Sequence, residues 1–201
     1  MSANTPFHGS DLEKIEQLYG IPKEKITGFG SNVNPLGLSP RLKEYLASRL
    51  DVLTSYPDPE YTGLRLGYAV TSGEALREEI LSRKDPWTVS SLADLAGQFL
   101  FQDTVYIEET RSLISSERQR IRHALSGLAV KTYPCFANFI LCRSLKRGVN
   151  ASVLFEAAIQ QGMMIRNCSD FPGLDENFFR FCFLLPEQND RLLSCLAELL
   201  G

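Results

Sequence analysis

A long helical period in the middle of the chain constrains the fold more than any other feature. Between Val105 and Leu128, apolar residues recur at the three- and four-residue spacing of one helix face, and Gly127 supplies a helix-ending signal. Charged residues on the other face are typical of a solvated surface. The apolar positions are Ile107, Leu113, Ile114, Ile121, Leu125 and Leu128, and the charged positions are Glu117, Arg118, Arg120 and Arg122. The segment therefore predicts one long amphipathic helix.

The C-terminal third alternates strand and helix signals. Strand-like runs lie on both sides of Pro134, and Ser152 is the expected cap of the helix that follows. The predicted order is strand 128–133, strand 136–142, helix 152–162, strand 163–166, strand 178–185 and helix 187–200. This pattern predicts an α+β fold, in which a small and mostly antiparallel sheet carries helices on one face.

The N-terminal part predicts shorter elements. Ser10 and Glu13 form a capping box for a helix that ends at Gly20. His8, just before this box, lies where a helix N-terminus can hold a phosphate, although a simple cap is the commoner role. The remaining predicted elements are a helix opened by Ser39-Pro40, a strand at 66–71, a helix that starts at Ser72 or Gly73 and runs through Ile80 and Leu81, and a helix at 92–101.

Charge and cysteine content exclude several functions. The 201-residue chain has a net charge of −3 with interspersed acids and bases, which argues against a nucleic-acid partner. It has no long apolar run and no secretory signal, so we expect no membrane partner. Five scattered cysteines without a paired motif indicate reduced thiols and a cytoplasmic location. Only two histidines occur, far apart, and we expect no metal site.

Two arginines have an unusual local context. Arg166 follows a short apolar strand, and Arg180 lies within the apolar run 178–183. An arginine in such a run is exposed at an edge or paired, because an unpaired buried charge is too costly. A guanidinium can bind a carboxylate or a phosphate through two parallel hydrogen bonds. An internal salt bridge or an exposed edge is the simpler explanation, and anion binding is the alternative.

Several short segments also resemble a known family, in the same order along the chain. They are His8-Gly9-Ser10 and the ranges 31–37, 56–59, 165–169 and 179–181. Together they resemble the fold-type I pyridoxal-phosphate enzymes, in the branch of the histidinol-phosphate aminotransferases and threonine-phosphate decarboxylases. His8-Gly9 and residues 165–174 are more similar to the decarboxylases, although Ser10-Asp11 stands where these usually have Gly-Asn. The resemblance implies the small C-terminal domain of an aminotransferase.

The resemblance also assigns roles to six residues. It implies that Arg180 binds the substrate α-carboxylate and that Arg166 binds the substrate phosphate. It places His8 and Asn32 in the lining of the substrate-phosphate pocket. It assigns Tyr56 and Arg65 to the cofactor phosphate, Tyr56 to that of the neighbouring subunit. Arg65 has this role only if it belongs to the later of two joined segments.

The two joined segments indicate an internal deletion. Residues 56–65 resemble the segment before the cofactor domain of this family, and residues 63–70 resemble the one after it. A domain of ~150 residues would normally lie between them. The resemblance therefore implies an N-terminal arm and small-domain helices at 1–65, a remnant of the large cofactor domain at 66–104, and a long helix with the C-terminal small domain at 105–201.

No lysine has the sequence context of the residue that forms the Schiff base with pyridoxal phosphate in this family. We therefore expect that this chain does not bind the cofactor and is inactive as an aminotransferase or decarboxylase. One alternative is a non-catalytic module that binds a phosphorylated amino acid through Arg166 and Arg180. Another is a structural oligomer without a ligand, because residues 66–101 have lost the domain on which they would pack. A homodimer is the simplest such oligomer, and swapped strands are one way to form it.

Overall fold

The computed structural model describes residues 12–30, 33–49, 70–83 and 91–201. It divides into two compact units. The first comprises Met1–Gly37 and Glu109–Gly201, and the second comprises Leu38–Glu108. The division into 1–65, 66–104 and 105–201 stays a prediction.

A four-stranded antiparallel sheet organises the first unit. Its strands are β2 (Val130–Thr132), β3 (Phe139–Ser144), β5 (Arg166–Asn167) and β6 (Phe178–Cys182), and they lie in the order β2-β3-β6-β5. A separate parallel pair joins β1 (Thr27–Gly28) to β4 (Met163–Met164). Along β3, buried and partly exposed residues alternate, so one face of the sheet is turned to the core.

Four helices supply apolar side chains to this core. They are α1 (Leu12–Tyr19), α5 (Thr104–Leu125), α6 (Ala151–Gln160) and α7 (Pro186–Leu200), of which α5 begins in the second unit and continues into the first. The core contains Ile15 of α1, Ile121 and Leu125 of α5, Leu154 and Ile159 of α6, Leu192 and Leu196 of α7, and Ile140, Phe179 and Phe181 of the sheet. The predicted α+β class is confirmed.

The start of α6 differs from the prediction by two residues. The cap is Asn150, whose side chain accepts a hydrogen bond from the amide of Val153, and Ser152 lies inside the helix. An asparagine side chain can accept such a bond as well as a serine can, so the sequence alone did not separate the two. The hydroxyl of Ser152 accepts a hydrogen bond from Asn167 of β5 instead.

The predicted solvent-exposed charged face of α5 is wrong at one position. Glu117 is 4% exposed, and its carboxylate accepts hydrogen bonds from Arg120 on the same helix and from Asn189 on α7. Asn189 also bonds both backbone groups of Leu184, which fixes the entry into α7. A buried carboxylate is tolerated here because every bond that it accepts comes from a charged group or an amide.

The second unit consists of helices α2 (Pro40–Ala47), α3 (Glu74–Arg83), α4 (Ser91–Leu100) and the first turn of α5. The cap of α2 is Ser39, as predicted, and its hydroxyl also donates to the buried carboxylate of Asp103. Tyr45 of α2 stacks on Phe99 of α4 with ring centroids 4.9 Å apart. Helix α3 is the exception, since none of its residues is buried.

Other predictions about the N-terminal part have mixed outcomes. The predicted helices at Ser72 or Gly73 to Leu81 and at 92–101 correspond to α3 and α4. Of the predicted strand at 66–71, Val70 and Thr71 are not in a strand, and the rest lies outside the described residues, as does Ser10 of the capping box. Within the described ranges, no helix combines the length and the apolarity that crossing a bilayer requires.

Candidate anion-binding face of the sheet

Arg166 and Arg180 lie on neighbouring strands and are paired directly across them. In the antiparallel register of β5 and β6, the Cα atom of Arg166 is the partner of that of Arg180. On its other side, Arg180 is the partner of Leu141 on β3. Residues that are opposite each other in a ladder project to the same face of the sheet. The two side chains therefore lie on the same face of the sheet, opposite to the core.

Arg166 is buried, with 8% of its surface exposed, and has a carboxylate partner. Its Nη2 atom donates a 2.6 Å hydrogen bond to Oδ2 of Asp170, four residues along in the loop after β5. The guanidinium carbon also lies 5.2 Å from the centre of the Phe171 ring. For Arg166, the simpler explanation from the sequence, an internal salt bridge, is therefore correct.

Arg180 is held by aromatic rings alone. Its guanidinium carbon lies 5.1 Å from the ring centre of Phe139 and 5.9 Å from that of Phe171. It makes no ion pair or hydrogen bond to another residue in the described part of the chain. The side chain is half-buried. Among the described residues, the charge of this arginine therefore has no acidic partner.

The pKa of the Cys168 thiol is affected by the two arginine charges. Burial raises the pKa of Cys168 to about 11, and the positive charges of Arg180 and Arg166 act against that increase. Further along the same face, the guanidinium of Arg143 donates a 2.9 Å hydrogen bond to Asp175 and is thereby neutralised. The face therefore carries two compensated arginines and one, Arg180, whose charge is uncompensated by any described residue.

The sequence predicted six site residues, of which the structure describes two. Arg166 and Arg180 are cross-strand partners, and their roles in binding stay predictions. The others, His8, Asn32, Tyr56 and Arg65, lie outside the described residues.

Sequence reasoning missed three contributors to the site: Asp170, Phe139 and Phe171. The only signal for Asp170 was its position four residues after Arg166 in a loop. Phe139 and Phe171 read simply as apolar residues, because their contact with Arg180 depends on strand register and loop path.

None of the described lysines lies in the desolvated setting in which a lysine forms an imine with pyridoxal phosphate. Six of the seven lysines are described, and none of those six is buried. Lys146 donates to the carbonyl of Gly201, and Lys131 lies over the Tyr133 ring. Lys23 pairs with Glu13, which raises the lysine's pKa. Among the described residues, no group of three or more histidine, cysteine or acidic side chains is placed to hold a metal ion.

Comparison with known proteins decides the family. The family model for aminotransferase class I and II matches residues 61–196. The chain belongs to the class I and II aminotransferases. This confirms the resemblance drawn from the short segments, and it places the chain in a family whose chemistry depends on pyridoxal phosphate.

Individual aminotransferase-family proteins match part of their length. The chain is 35% identical to threonine-phosphate decarboxylase of Salmonella typhimurium over 139 residues, which are 69% of this chain and 37% of that protein. It is 32% identical to histidinol-phosphate aminotransferase 1 of Carboxydothermus hydrogenoformans over 197 residues, which are 94% of this chain and 52% of the other. The histidinol-phosphate aminotransferase structure from Clostridium acetobutylicum matches with a TM-score of 0.59 at 28% identity, covering 64% of this chain and 39% of that one. The chain thus spans only about a third to a half of these relatives.

Proposed function

We propose that this chain is a non-catalytic aminotransferase-family module that binds a phosphorylated amino acid. The observation that carries the proposal is Arg180, a half-buried guanidinium between two phenylalanine rings with no described acid beside it. Such a group binds a carboxylate through two parallel hydrogen bonds, and its partial desolvation strengthens them. The paired Arg166 provides a second cation on the same face.

The two arginines would have separate roles. Arg180 would hold the α-carboxylate, and Arg166 would hold the phosphate by sharing its guanidinium with Asp170. Phe171 contacts both cations and would orient the ligand between them. The similarity to a threonine-phosphate decarboxylase and to a histidinol-phosphate aminotransferase supports a phosphorylated ligand.

Calorimetry with threonine phosphate tests this proposal. An open face with one uncompensated arginine, and a second that shares its charge with Asp170, should give a dissociation constant of about 1 mM, roughly −4 kcal/mol. We expect Arg180→Ala to abolish the heat of binding. Arg143→Ala is the matched control, because Arg143 lies on the same face but is neutralised by Asp175, and it should bind as the wild type does. Equal binding by all three proteins, or none by the wild type, would refute the proposal.

We further propose that the chain does not form an imine with pyridoxal phosphate, because an internal deletion has removed the cofactor lysine. That none of the described lysines is buried supports the absence of an imine. Added pyridoxal phosphate should give no stable imine absorbance. A band that one lysine substitution removes would contradict the idea. Sequencing of the source locus across codons 61–70 would test the deletion.

A homodimer is a second proposal, supported by α3. Its apolar side chains Leu76, Ile80 and Leu81 are about half exposed, at 51%, 45% and 50%. A helix that buries none of its apolar side chains can gain cover from a partner, and a second copy of the chain is the simplest one. Light scattering should give twice the mass of one chain, and Leu76→Lys should lower it. A monomer at all concentrations would count against the dimer.

A further inference from the structure

A second recess lies in the first unit, and its lining shares no residue with the face that carries Arg166 and Arg180. The cavity has a volume of about 360 Å³, at the small end of the range for ligand sites. One wall is the outer surface of α5 and the other is the loop before β3. Its lining residues are Thr110, Arg111, Ile114, Ser115 and Arg118 of the helix and Phe136, Ala137 and Asn138 of the loop.

Arg118 is the central charge of this cavity, and it is incompletely satisfied. Its Nη2 atom donates to the carbonyl oxygens of Phe136 and Ala137 at 3.3 and 3.2 Å, which are long for hydrogen bonds to a charged donor. The Nε atom is buried and has no partner among the described residues. No bond from Nη1 and no carboxylate reaches this guanidinium in the described part of the chain.

Two other polar residues of the lining are hydrogen-bonded, and neither brings a negative charge to the cavity. Asn138 donates to the carbonyl of Val33, and the hydroxyl of Thr110 accepts from Asn34. None of the eight lining residues is acidic. A half-buried guanidinium without a counter-charge is unfavourable, and an acceptor that enters the cavity removes that cost.

The remaining lining is apolar. Ile114, which is buried, lines the cavity from the helix, and Phe136, which is 90% exposed, lines it from the loop. A large aromatic side chain exposed to that extent beside a cation is the arrangement that binds a body with one charged end.

We propose that this cavity binds a small organic monocarboxylate with an apolar body. The carboxylate would accept hydrogen bonds from Arg118, and the apolar body would pack against Ile114 and Phe136. A monocarboxylate fits better than a phosphate, because the lining offers one uncompensated guanidinium and much apolar surface. The proposal does not depend on the binding of an amino-acid phosphate by Arg166 and Arg180.

Titration calorimetry with benzoate, its neutral analogue benzamide and inorganic phosphate tests the ligand class. On the whole chain we expect benzoate to bind with a dissociation constant of about 1 mM, and the two other probes to bind at least about tenfold more weakly. No heat with benzoate up to about ten times that concentration would overturn the proposal. Benzamide or phosphate that binds as tightly as benzoate would overturn the assigned ligand class.

Two serine variants locate the site without disturbing any charge. Ser115 lines the cavity and is exposed. Ser115→Leu places a good helix former at this position and fills the cavity, so it should lower the affinity for benzoate at least about tenfold. Ser116 is its exposed neighbour outside the lining, and Ser116→Leu should bind benzoate as the wild type does. Threonine phosphate should bind equally to all three proteins, so a failure of this site is distinguishable from a failure of the other.

Arg118→Gln gives an independent measurement, with circular dichroism to confirm that the variant is folded. It should lose benzoate binding, because only the guanidinium carries the charge. Benzoate heat that persists in both Ser115→Leu and Arg118→Gln but disappears in Arg180→Ala would assign the carboxylate to the sheet. That result would overturn the proposed second site.

Discussion

Arg166 and Arg180 are direct cross-strand partners, yet an acid lies beside only one of them. Like charges opposite each other destabilise a sheet, so the pair needs compensation. Asp170 neutralises Arg166. Arg180 instead makes cation–π contacts with the rings of Phe139 and Phe171. The charge of Arg166 is therefore balanced by a carboxylate, whereas that of Arg180 is balanced by no described acid.

The first prediction concerns Asp170. In Asp170→Asn the negative charge that competes with a ligand for Arg166 is removed. We expect threonine phosphate to bind about three- to tenfold more tightly, a change of up to about 1.4 kcal/mol. The ligand-free protein should become less stable by roughly 1–3 kcal/mol, because Arg166 is then buried without a counter-charge. Calorimetry and urea unfolding measure the two effects.

Asp175→Asn is the control for this prediction. It frees Arg143 on the same face of the sheet, but Asp175 and Arg143 are both more than a third exposed. We expect little change in either affinity or stability. If Asp175→Asn tightened binding as much as Asp170→Asn, the gain would come from overall charge and not from release of Arg166.

The second prediction concerns the pH dependence of stability that Glu117 confers. Burial acts to raise the pKa of Glu117, but hydrogen bonds from Arg120 and Asn189 outweigh it and hold the pKa below its usual 4.5. A carboxyl whose pKa is lower in the folded state stabilises the protein above the unfolded-state pKa. That contribution is lost as the pH falls through the folded-state pKa.

Glu117→Gln should therefore be less stable than the wild type by on the order of 2 kcal/mol at neutral pH. The difference should be constant between about pH 6 and 8 and should shrink below about pH 4.5. Chemical unfolding across this range measures it. Glu109→Gln, an exposed position on the same helix, should change stability by less than about 0.5 kcal/mol at every pH. A pH-independent loss in Glu117→Gln would mean that packing, not charge, is responsible.

Local periodicity accounts for what the sequence predicted well. The apolar spacing of α5 and the strand-helix alternation after it depend only on residues close in sequence. The secondary-structure elements and the fold class could therefore be predicted from these two patterns. Glu117 could not be predicted in this way, because its partner Asn189 lies 72 residues away on another helix. A charged residue in a charged run reads as solvent-exposed unless the distant partner is known.

The candidate site shows the same limit. Arg180 stood out because it interrupts an apolar run, which is a local signal. Its pairing with Arg166 required the register of β5 and β6, and the ring of Phe171 reaches both arginines from a loop. Strand register and loop path are set by packing across the whole unit. The sequence could therefore identify the two arginines as candidates but could not predict their pairing or their contacts with the rings.

The third prediction concerns thiol reactivity. All five cysteines are free, and four are buried, whereas Cys135 is partly exposed. Burial raises the pKa of Cys168 to about 11 and that of Cys182 to about 12, so both are almost entirely protonated at pH 8. A chromogenic disulfide reagent should therefore modify one thiol rapidly in the native protein.

Cys135→Ser should remove this fast phase and leave the slow phases unchanged. All five thiols should react rapidly in denaturant, because their protection comes from the fold. If two or more thiols reacted rapidly in the native wild type, the sheet and the helices that cover it would be less tightly packed than described.

The fourth prediction concerns Gly162, at the turn between α6 and β4. Its φ angle is +72°, and an added Cβ atom would lie 2.9 Å from the carbonyl oxygen of Lys25. The carbonyl of Gly162 accepts a 2.7 Å hydrogen bond from Thr27, so the two backbones cannot separate without breaking the link between β1 and β4. Gly162→Ala should thus suffer both an unfavourable backbone angle and a steric clash.

Gly148→Ala separates these two costs. Gly148 has a φ angle of +80° but open space around it, so its substitution should cost only about 1–2 kcal/mol for the left-handed conformation. Gly162→Ala should cost roughly 1–2 kcal/mol more. The loss of unfolded-state entropy is the same in both variants and cancels in the comparison. Urea unfolding measures the loss of unfolding free energy in each variant relative to the wild type. Equal losses would show that the segment at Lys25 can move away from the turn.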